Sequence, residues 1–271
     1  FAAPHVSGAA ALLLQKNPEL QNQELKSLLM TTVQPVSNAY GQEFSLHESG
    51  SGRLDIANAY NAKLIISPTN FVMNFSPEQL SIEKQLELKL IEGEIEEINV
   101  KFEGPEFIEF THNIKNNKLQ IELNVIGEEY GEHEGKIFIN HEKTQYTIPV
   151  LMHYTEGSIL VNQENEKLFF EIEHPDKWSF AKISVTNSKN GNMDTTTTTP
   201  NKKTSIEIYE NGEYWIEAKI KVNGNTSDAF NTIKINSLSE KIEKIELTNI
   251  PEKQIIIIIS IVTIVGIVGL L

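Results

Sequence analysis

The residues best suited to chemistry stand at the start of the chain. Phe1-Ala2-Ala3-Pro4-His5-Val6-Ser7-Gly8 places a histidine and a serine two positions apart among small residues. This composition predicts a helix, and Pro4 fits its first turn because the missing N–H would have no partner there. The unpaired N–H groups and partial positive charge of a helix N-terminus favour a developing oxyanion. The start of such a helix is therefore suited to nucleophilic catalysis.

Other candidate ligands and bases are dispersed along the chain. No two histidines have the His-x-x-x-His spacing of a metal site, and those after His5 are predicted to be surface residues. A glutamate cluster could bind calcium, but such clusters are usually a solvated strand face, so we predict no metal and no cofactor. The histidines are His47, His112, His133, His141, His153 and His174, and the glutamates are Glu92, Glu94, Glu96 and Glu97.

The elements that would position these residues differ along the chain. Up to about Ala62 the pattern is helical: the first helix ends at Asn17-Pro18, and apolar positions from Glu24 to Met30 predict a second. From about Leu64 the apolar residues alternate, as in Leu119-Gln120-Ile121-Glu122-Leu123-Asn124-Val125. This period of two is typical of half-buried strands, and it returns after Gly157 between Asn-Gly turns.

The first 62 residues resemble one known family. Phe1 to Gly8 is similar to the helix that follows the nucleophile in subtilisin-like serine proteases, where the motif reads Gly-Thr-Ser, Met or Phe, Ala, a small residue, Pro, His, Val, a small residue, Gly. Glu24 to Leu29 resembles the next helix of that catalytic domain. The run from Gly50 to Ala59 resembles its glycine-rich turn and last helix. Three such landmarks occur in the family order.

The resemblance implies a role for each motif residue. The nucleophilic serine would directly precede Phe1, and the aspartate, the histidine and the oxyanion-hole asparagine would lie further upstream, so we expect no catalytic residue in this chain. Phe1 would lie against the active-site wall, with a steric role. His5 would belong to the helix rather than act as the base, and Ser7 would be a packing residue. The structural motif residues are Ala2, Ala3, Pro4, His5, Val6 and Gly8.

Composition limits the partners. With 23 Lys and Arg against 37 Asp and Glu, the net charge is −14, and a phosphate backbone would be repelled, so we expect no nucleic acid partner. The chain has no cysteine, which excludes disulfides and thiol nucleophiles.

Asn74 and Asn225 match the N-glycosylation pattern, and Pro77 makes Asn74 the weaker candidate. Thr195 to Thr199 is predicted to be a low-complexity loop, with O-glycosylation an unsupported alternative.

These observations predict a multidomain chain that begins with a C-terminal helical remnant of an α/β subtilase catalytic domain. Two β-sandwich domains of immunoglobulin or fibronectin type follow, then a stalk and a C-terminal transmembrane helix. Because the chain begins with Phe1, we expect the natural N-terminus to be absent. The last 17 residues are uncharged and would reach about 26 Å as a helix, although a buried strand or a cleaved sorting tail would also fit. The predicted boundaries are 1–63, 64–154, 155–236, 237–253 and 254–271.

Two functions fit this organisation. The first is a membrane-anchored extracellular serine endopeptidase that acts on polypeptides, with its catalytic groups upstream and its β domains outside a cell membrane. The second is a cell-surface binding or structural protein of tandem sandwiches, or a degenerate protease that binds without cutting. The second explains residues 64–271 equally well but leaves the landmarks in residues 1–62 unexplained.

Overall fold

The computed structural model describes residues 2–92 and 98–236. Within it, four helices separated by loops lie between residues 2 and 61. The first helix ends where Asn17-Pro18 predicts, with Asn17 N–H donating to Leu13 O at 2.9 Å. The fourth begins at the N-cap Asp55, whose carboxylate accepts from Asn58 N–H at 2.9 Å. Their bounds are α1 (Ala2–Lys16), α2 (Asn22–Thr31), α3 (Leu46–Ser49) and α4 (Ile56–Asn61).

Eight strands then form a sandwich of two four-stranded sheets. One sheet has the order β1-β3-β6-β5 and the other β2-β8-β7-β4, which is the arrangement of an immunoglobulin-type sandwich with a divided first strand. The chain passes between the sheets at the cis Ser67–Pro68 bond, and β2 pairs with β8 in parallel. The strands are β1 (Leu64–Ser67), β2 (Phe71–Phe75), β3 (Ser81–Leu90), β4 (Asn99–Glu103), β5 (Ile108–Lys115), β6 (Lys118–Val125), β7 (Gly131–His141) and β8 (Thr144–Tyr154).

The helices share the core of this first sandwich. Leu13 of α1 and Leu28 of α2 belong to the same buried cluster as the inward side chains of both sheets. The buried Ser27 hydroxyl donates to Ile66 O at 2.7 Å and accepts from Ile66 N–H at 3.0 Å, so it joins α2 to β1 as a strand neighbour would. Among the described residues these helices have no parallel sheet to cover, and they pack on the sandwich.

A second sandwich follows β8 after only three residues. It has a three-stranded sheet of order β13-β10-β9 and a four-stranded sheet of order β12-β11-β14-β15, so the prediction of two β-sandwiches is confirmed. Its apolar residues alternate along each central strand, which gives each sheet one buried face. The strands are β9 (Ser158–Glu164), β10 (Lys167–Glu173), β11 (Trp178–Asn187), β12 (Met193–Thr198), β13 (Thr204–Glu207), β14 (Gly212–Val222) and β15 (Asn225–Ile235).

Two local features fix the connections of the second sandwich. Asn223 and Gly224 both have positive φ, 49° and 87°, and form the two-residue turn that the Asn-Gly pair predicts between β14 and β15. The Tyr214 hydroxyl donates to Glu210 O at 2.7 Å, four residues upstream at the start of β14. This is the tyrosine corner that often marks an immunoglobulin-like sandwich.

One local prediction is wrong. The threonine run was expected to be a loop, yet Met193–Thr198 is strand β12 at the edge of the four-stranded sheet. Threonine is β-branched and favours extended backbone, so the run pairs with β11 despite its low complexity.

Several predictions concern residues outside the described ranges. These are the stalk at 237–253, the transmembrane helix at 254–271, and three of the four clustered glutamates. Within residues 2–92 and 98–236, no helix is both long enough and apolar enough to cross a membrane.

Candidate functional site

The family motif forms the first two turns of α1 and lies on the surface. All residues from Ala2 to Gly8 are exposed, and α1 buries only Ala9 and Leu13. A side chain at Gly8 would meet nothing within 4 Å. Phe1, the residue expected beside a catalytic centre, lies outside the described residues. The described part of the chain therefore presents the motif on its surface.

Ser7 is not arranged as a nucleophile. Its hydroxyl donates to Ala3 O at 3.0 Å, one turn earlier in the same helix. An activated serine instead gives its proton to a neighbouring base. Back-bonding to a carbonyl is the ordinary behaviour of a serine inside a helix. Because Ser7 is exposed, the packing role expected for it stays a prediction.

The glycine-rich landmark has a steric explanation. Gly52 has φ of +129°, and a Cβ there would lie 2.6 Å from Gln34 O. The backbone of Arg53 forms a two-bond bridge with that of Gln34, at 2.8 Å in both directions. Glycine is therefore required for the chain to approach the segment after α2 before it enters α4.

A histidine–glutamate–histidine cluster joins the helical segment to the first sandwich. Glu132 of β7 accepts from His47 Nε2 of α3 at 2.7 Å and lies 3.2 Å from His153 Nε2 of β8. His153 Nδ1 lies 3.0 Å from Asn74 Oδ1 of β2, and its ring stacks on Phe230 of β15 at 4.8 Å between centroids. No local pattern marks this cluster, since Glu132 is 85 positions from His47 and 21 positions from His153 along the chain.

The cluster changes the acidity of its carboxylate. Burial raises the pKa of Glu132, but the hydrogen bonds and charges of His47 and His153 outweigh it and lower the pKa below 4.5. The carboxylate is thus held ionised between two imidazoles. Such a group can fix the position of two rings.

Two of the histidines predicted to be on the surface are buried. His141, at the end of β7, is 2% exposed, and the His174 side chain is 1% exposed. His174 Nδ1 accepts from Asp176 N–H at 3.1 Å, and its Nε2 faces Glu156 at 3.8 Å. Isolated polar neighbours in the sequence are a poor guide to burial here: His141 pairs with Thr144 at the end of the β7–β8 hairpin, and a Cβ at Gly157 of the linker would lie 2.9 Å from His174 Cδ2.

The glycosylation candidates have different environments. Asn74 is half-buried in β2 and its side chain is engaged by His153. Asn225 is exposed directly after the turn at the tip of the β14–β15 hairpin. Of the two, only Asn225 offers a side chain that an oligosaccharide could reach without disturbing the fold.

A cavity of about 550 Å³ lies between the two sandwiches, within the size range of small-molecule sites. It combines aromatic rings with carboxylates. Within the described residues, no group of three or more histidine, aspartate or glutamate side chains is arranged to hold a metal ion. The rings are Tyr130, Tyr154 and Phe230, and the carboxylates are Glu132, Glu156, Asp176 and Asp228.

Comparison with known proteins identifies the N-terminal segment. Residues 1–52 match the model of the subtilase family. The chain is 36% identical over 78 residues to the subtilisin-like protease SBT1.6 of Arabidopsis thaliana, covering 26% of this chain and 10% of that protein. It is 28% identical over 71 residues to the minor extracellular protease Vpr of Bacillus subtilis (strain 168), covering 26% and 9%. The N-terminal segment is therefore of the subtilase family, as the sequence motifs predict.

The chain spans about a tenth of the length of these curated relatives. Among solved structures it is similar to titin domains A168–A170, with 6% identity, coverage of 65% and 66%, and a TM-score of 0.25. It is also similar to the Yersinia pseudotuberculosis adhesin InvE, with 14% identity, coverage of 70% and 62%, and a TM-score of 0.26. Scores this low assign no fold, and the sandwich architecture follows from the strand pairing alone.

Proposed function

We propose that this chain is part of a membrane-anchored extracellular serine endopeptidase of the subtilisin type. The supporting observation is the ordered set of family landmarks in residues 1–52, which includes a glycine that the fold requires at position 52. In this proposal the aspartate, histidine and serine of the triad belong to sequence upstream of Phe1. The chain by itself hydrolyses no peptide bond.

The first sandwich serves as a rigid support for the protease segment. The Tyr146 hydroxyl of β8 accepts from Lys63 N–H at 3.1 Å and Leu64 N–H at 2.9 Å, directly where the helical segment ends. Asn58 of α4 donates to Gln145 O at 3.4 Å. Because these contacts leave no free linker between the two parts, the sandwich would hold a fixed orientation relative to a catalytic domain.

The proposed partners and location follow from the protease assignment. The substrates are polypeptides, the last residues contact membrane lipid, and nucleic acid is not a partner. The chain would cross the cell membrane once, with both sandwiches on the extracellular side. The exposed position of Asn225 supports this side, since a glycan there would project from a hairpin tip into solvent.

A second candidate is a surface protein that binds without cutting. The cavity between the sandwiches supports it, since aromatic rings beside carboxylates can hold a small polar or cationic ligand. In that case the upstream triad positions would be occupied by other residues.

A serine-directed fluorophosphonate probe tests the proposal. The chain of residues 1–271 is expected to remain unlabelled, whereas the longer product of the same locus should be labelled at a serine directly before Phe1. Replacing that serine by alanine is the matched control. Stoichiometric labelling of the short chain would refute the claim that its nucleophile lies upstream. A folded longer product that stays unlabelled and cleaves no polypeptide would favour the binding candidate.

A further inference from the structure

Strand β12 is an unusually open sheet edge. It closes one side of the four-stranded sheet of the second sandwich, and no other strand among the described residues pairs with its outer side. Four of its six residues are threonines, Asp194 is its one charged residue, and it lacks proline and lysine. Natural edge strands are usually shielded by charge, proline, shortness or a covering element, because a bare edge can accept another strand.

Several other edges of the described sheets are better protected. β1 is four residues long and is joined to α2 through Ser27. β4 carries Lys101 and Glu103, and β13 is four residues long. β9 is approached by β15, whose Asn231 donates to Ile159 O at 2.6 Å. Apart from Asp194, and from Thr198, whose hydroxyl accepts from that of Thr204 of β13, the six residues of β12 have no such protection.

The pairing with β11 shows which backbone groups of β12 face outward. Asn187 N–H donates to Asn192 O at 2.9 Å, so these two residues form a hydrogen-bonded pair. Thr186 with Met193 is the next pair of the ladder, and Ser184 with Thr195 lies two pairs further on. Hydrogen-bonded and non-hydrogen-bonded pairs alternate in an antiparallel ladder. The N–H and C=O groups of Met193, Thr195 and Thr197 consequently point away from β11.

We propose that β12 pairs antiparallel with β12 of a second copy of this chain, with Thr195 on the twofold axis. In this register the outward groups meet one another: Thr195 faces its counterpart, and Met193 faces Thr197 of the other copy. Asp194 faces a threonine rather than a second aspartate. The two four-stranded sheets become one continuous sheet of eight strands, and neither edge remains open.

Side-chain chemistry and charge favour a second copy as the occupant. Threonine pairs on opposed antiparallel strands are among the favourable cross-strand pairs. The chain as a whole carries a charge of −14, which opposes self-association, but strands β11, β12, β14 and β15 together contain four lysines and four acidic residues. The sheet that carries β12 is thus nearly neutral, so two copies can approach there without the repulsion that the rest of the surface imposes.

Register-specific cross-linking tests the interface in the full chain, which has no native cysteine. Opposed residues of a hydrogen-bonded pair have Cα atoms about 5.5 Å apart, within the range of a disulfide. Thr195→Cys is therefore expected to give a disulfide dimer under mild oxidation. Thr197→Cys is the matched control: it is on the same strand and face, but its counterpart is displaced by four residues, so it should stay monomeric on a non-reducing gel.

A backbone variant separates strand pairing from side-chain contact. The double variant Met193→Cys, Thr197→Cys should cross-link, and adding Thr195→Pro should abolish the cross-link because it removes an outward N–H. Proline is tolerated where the N–H of an edge strand faces solvent, and circular dichroism would verify the fold. Adding Thr195→Lys instead, which keeps the backbone donor but opposes two charges at the axis, should give the same loss.

Two outcomes would overturn the proposal. Equal cross-linking of Thr195→Cys and Thr197→Cys would mean random collision or association through another part of the chain. Absence of a cross-link in every variant, with the fold intact, would mean that β12 is not a self-association edge. Capture of an added extended peptide under those conditions would then assign the edge to a different polypeptide.

Discussion

Helices α1 and α2 are neighbours in the segment that matches the subtilase family, yet the first two turns of α1 and the core-facing side of α2 lie in opposite environments. α1 carries the family motif and exposes it, and Leu12 is 44% exposed. α2 carries no residue with an assigned chemistry, and its Leu28 is 1% exposed within the core of the first sandwich. The motif at the start of α1 is therefore free of the sandwich core, whereas Leu13 and α2 attach the segment to it.

The attachment has three levels that should differ in strength. Leu28 contributes apolar packing, the Tyr146 hydroxyl contributes two hydrogen bonds to backbone N–H groups, and Glu132 contributes a partly exposed ionic contact with His47. Removing each in turn measures how strongly the helical segment depends on the sandwich.

The largest effect is expected for the buried leucine. Leu28→Ala removes a core side chain and leaves a cavity, so the free energy of unfolding should fall by about 2–5 kcal/mol. Leu12→Ala is the matched control on α1 and should change it by about 0.5 kcal/mol or less, because the leucine is already largely in water. Chemical denaturation followed by circular dichroism measures both. Equal losses in the two variants would contradict the contrast between the helices.

A smaller effect is expected for the buried tyrosine. Tyr146→Phe keeps the ring but leaves the N–H groups of Lys63 and Leu64 without an acceptor, which should cost about 1–3 kcal/mol. Burial raises the pKa of the Tyr146 hydroxyl, so it stays protonated and neutral near pH 7. Tyr40→Phe, at an exposed loop position, is the control and should be close to neutral. Hydrogen exchange at Leu64 should accelerate in the first variant alone.

An unchanged exchange rate at Leu64 in Tyr146→Phe would show that the junction is held by packing without these hydrogen bonds. We also expect residues 64–236 to fold independently and residues 1–62 not to do so, because the apolar faces of the helices need a surface to cover. Limited proteolysis that left 1–62 intact while digesting the sandwiches would contradict it.

The strands were largely predictable from the sequence because each sandwich exposes one face of each sheet. The alternation from Leu119 to Val125 corresponds to β6, and Asn223-Gly224 forms the turn that its residue types favour. Asn116 and Asn117 form a similar turn with both φ values positive, but two asparagines are a weaker signal than Asn-Gly. The threonine run was misassigned because its composition resembles a loop while its β-branching favours a strand.

The site was less predictable because its residues meet only through tertiary structure. The family landmarks could be found from local sequence, since they lie in continuous runs. The contact of His47 with Glu132 joins residues 85 positions apart, and no local pattern marks either residue. Packing of the helices on the sandwich was equally hidden, because the apolar face of α2 shows that it is buried but not what covers it.

The smallest effect is expected at the ionic contact. Replacing both partners by an apolar side chain, His47→Leu with His153→Leu, should raise the pKa of Glu132, because burial then acts without the hydrogen bonds that lower it. His112→Leu, on the outer strand β5, is the control and should leave that pKa unchanged. Carboxyl chemical shifts followed by NMR across an acid titration give the value directly.

The effect on stability has a defined sign. Because the folded state lowers the pKa of Glu132, its contribution is present above the ordinary value of 4.5 and is lost as the pH falls through the lowered value. The double histidine variant should therefore unfold more easily than the parent well above pH 4.5, and the difference should shrink on acidification. The carboxylate is 45% exposed, so water screens the contact and the difference should be smaller than for Tyr146→Phe. A difference that grew on acidification would mean that the histidines stabilise the fold through a group other than Glu132.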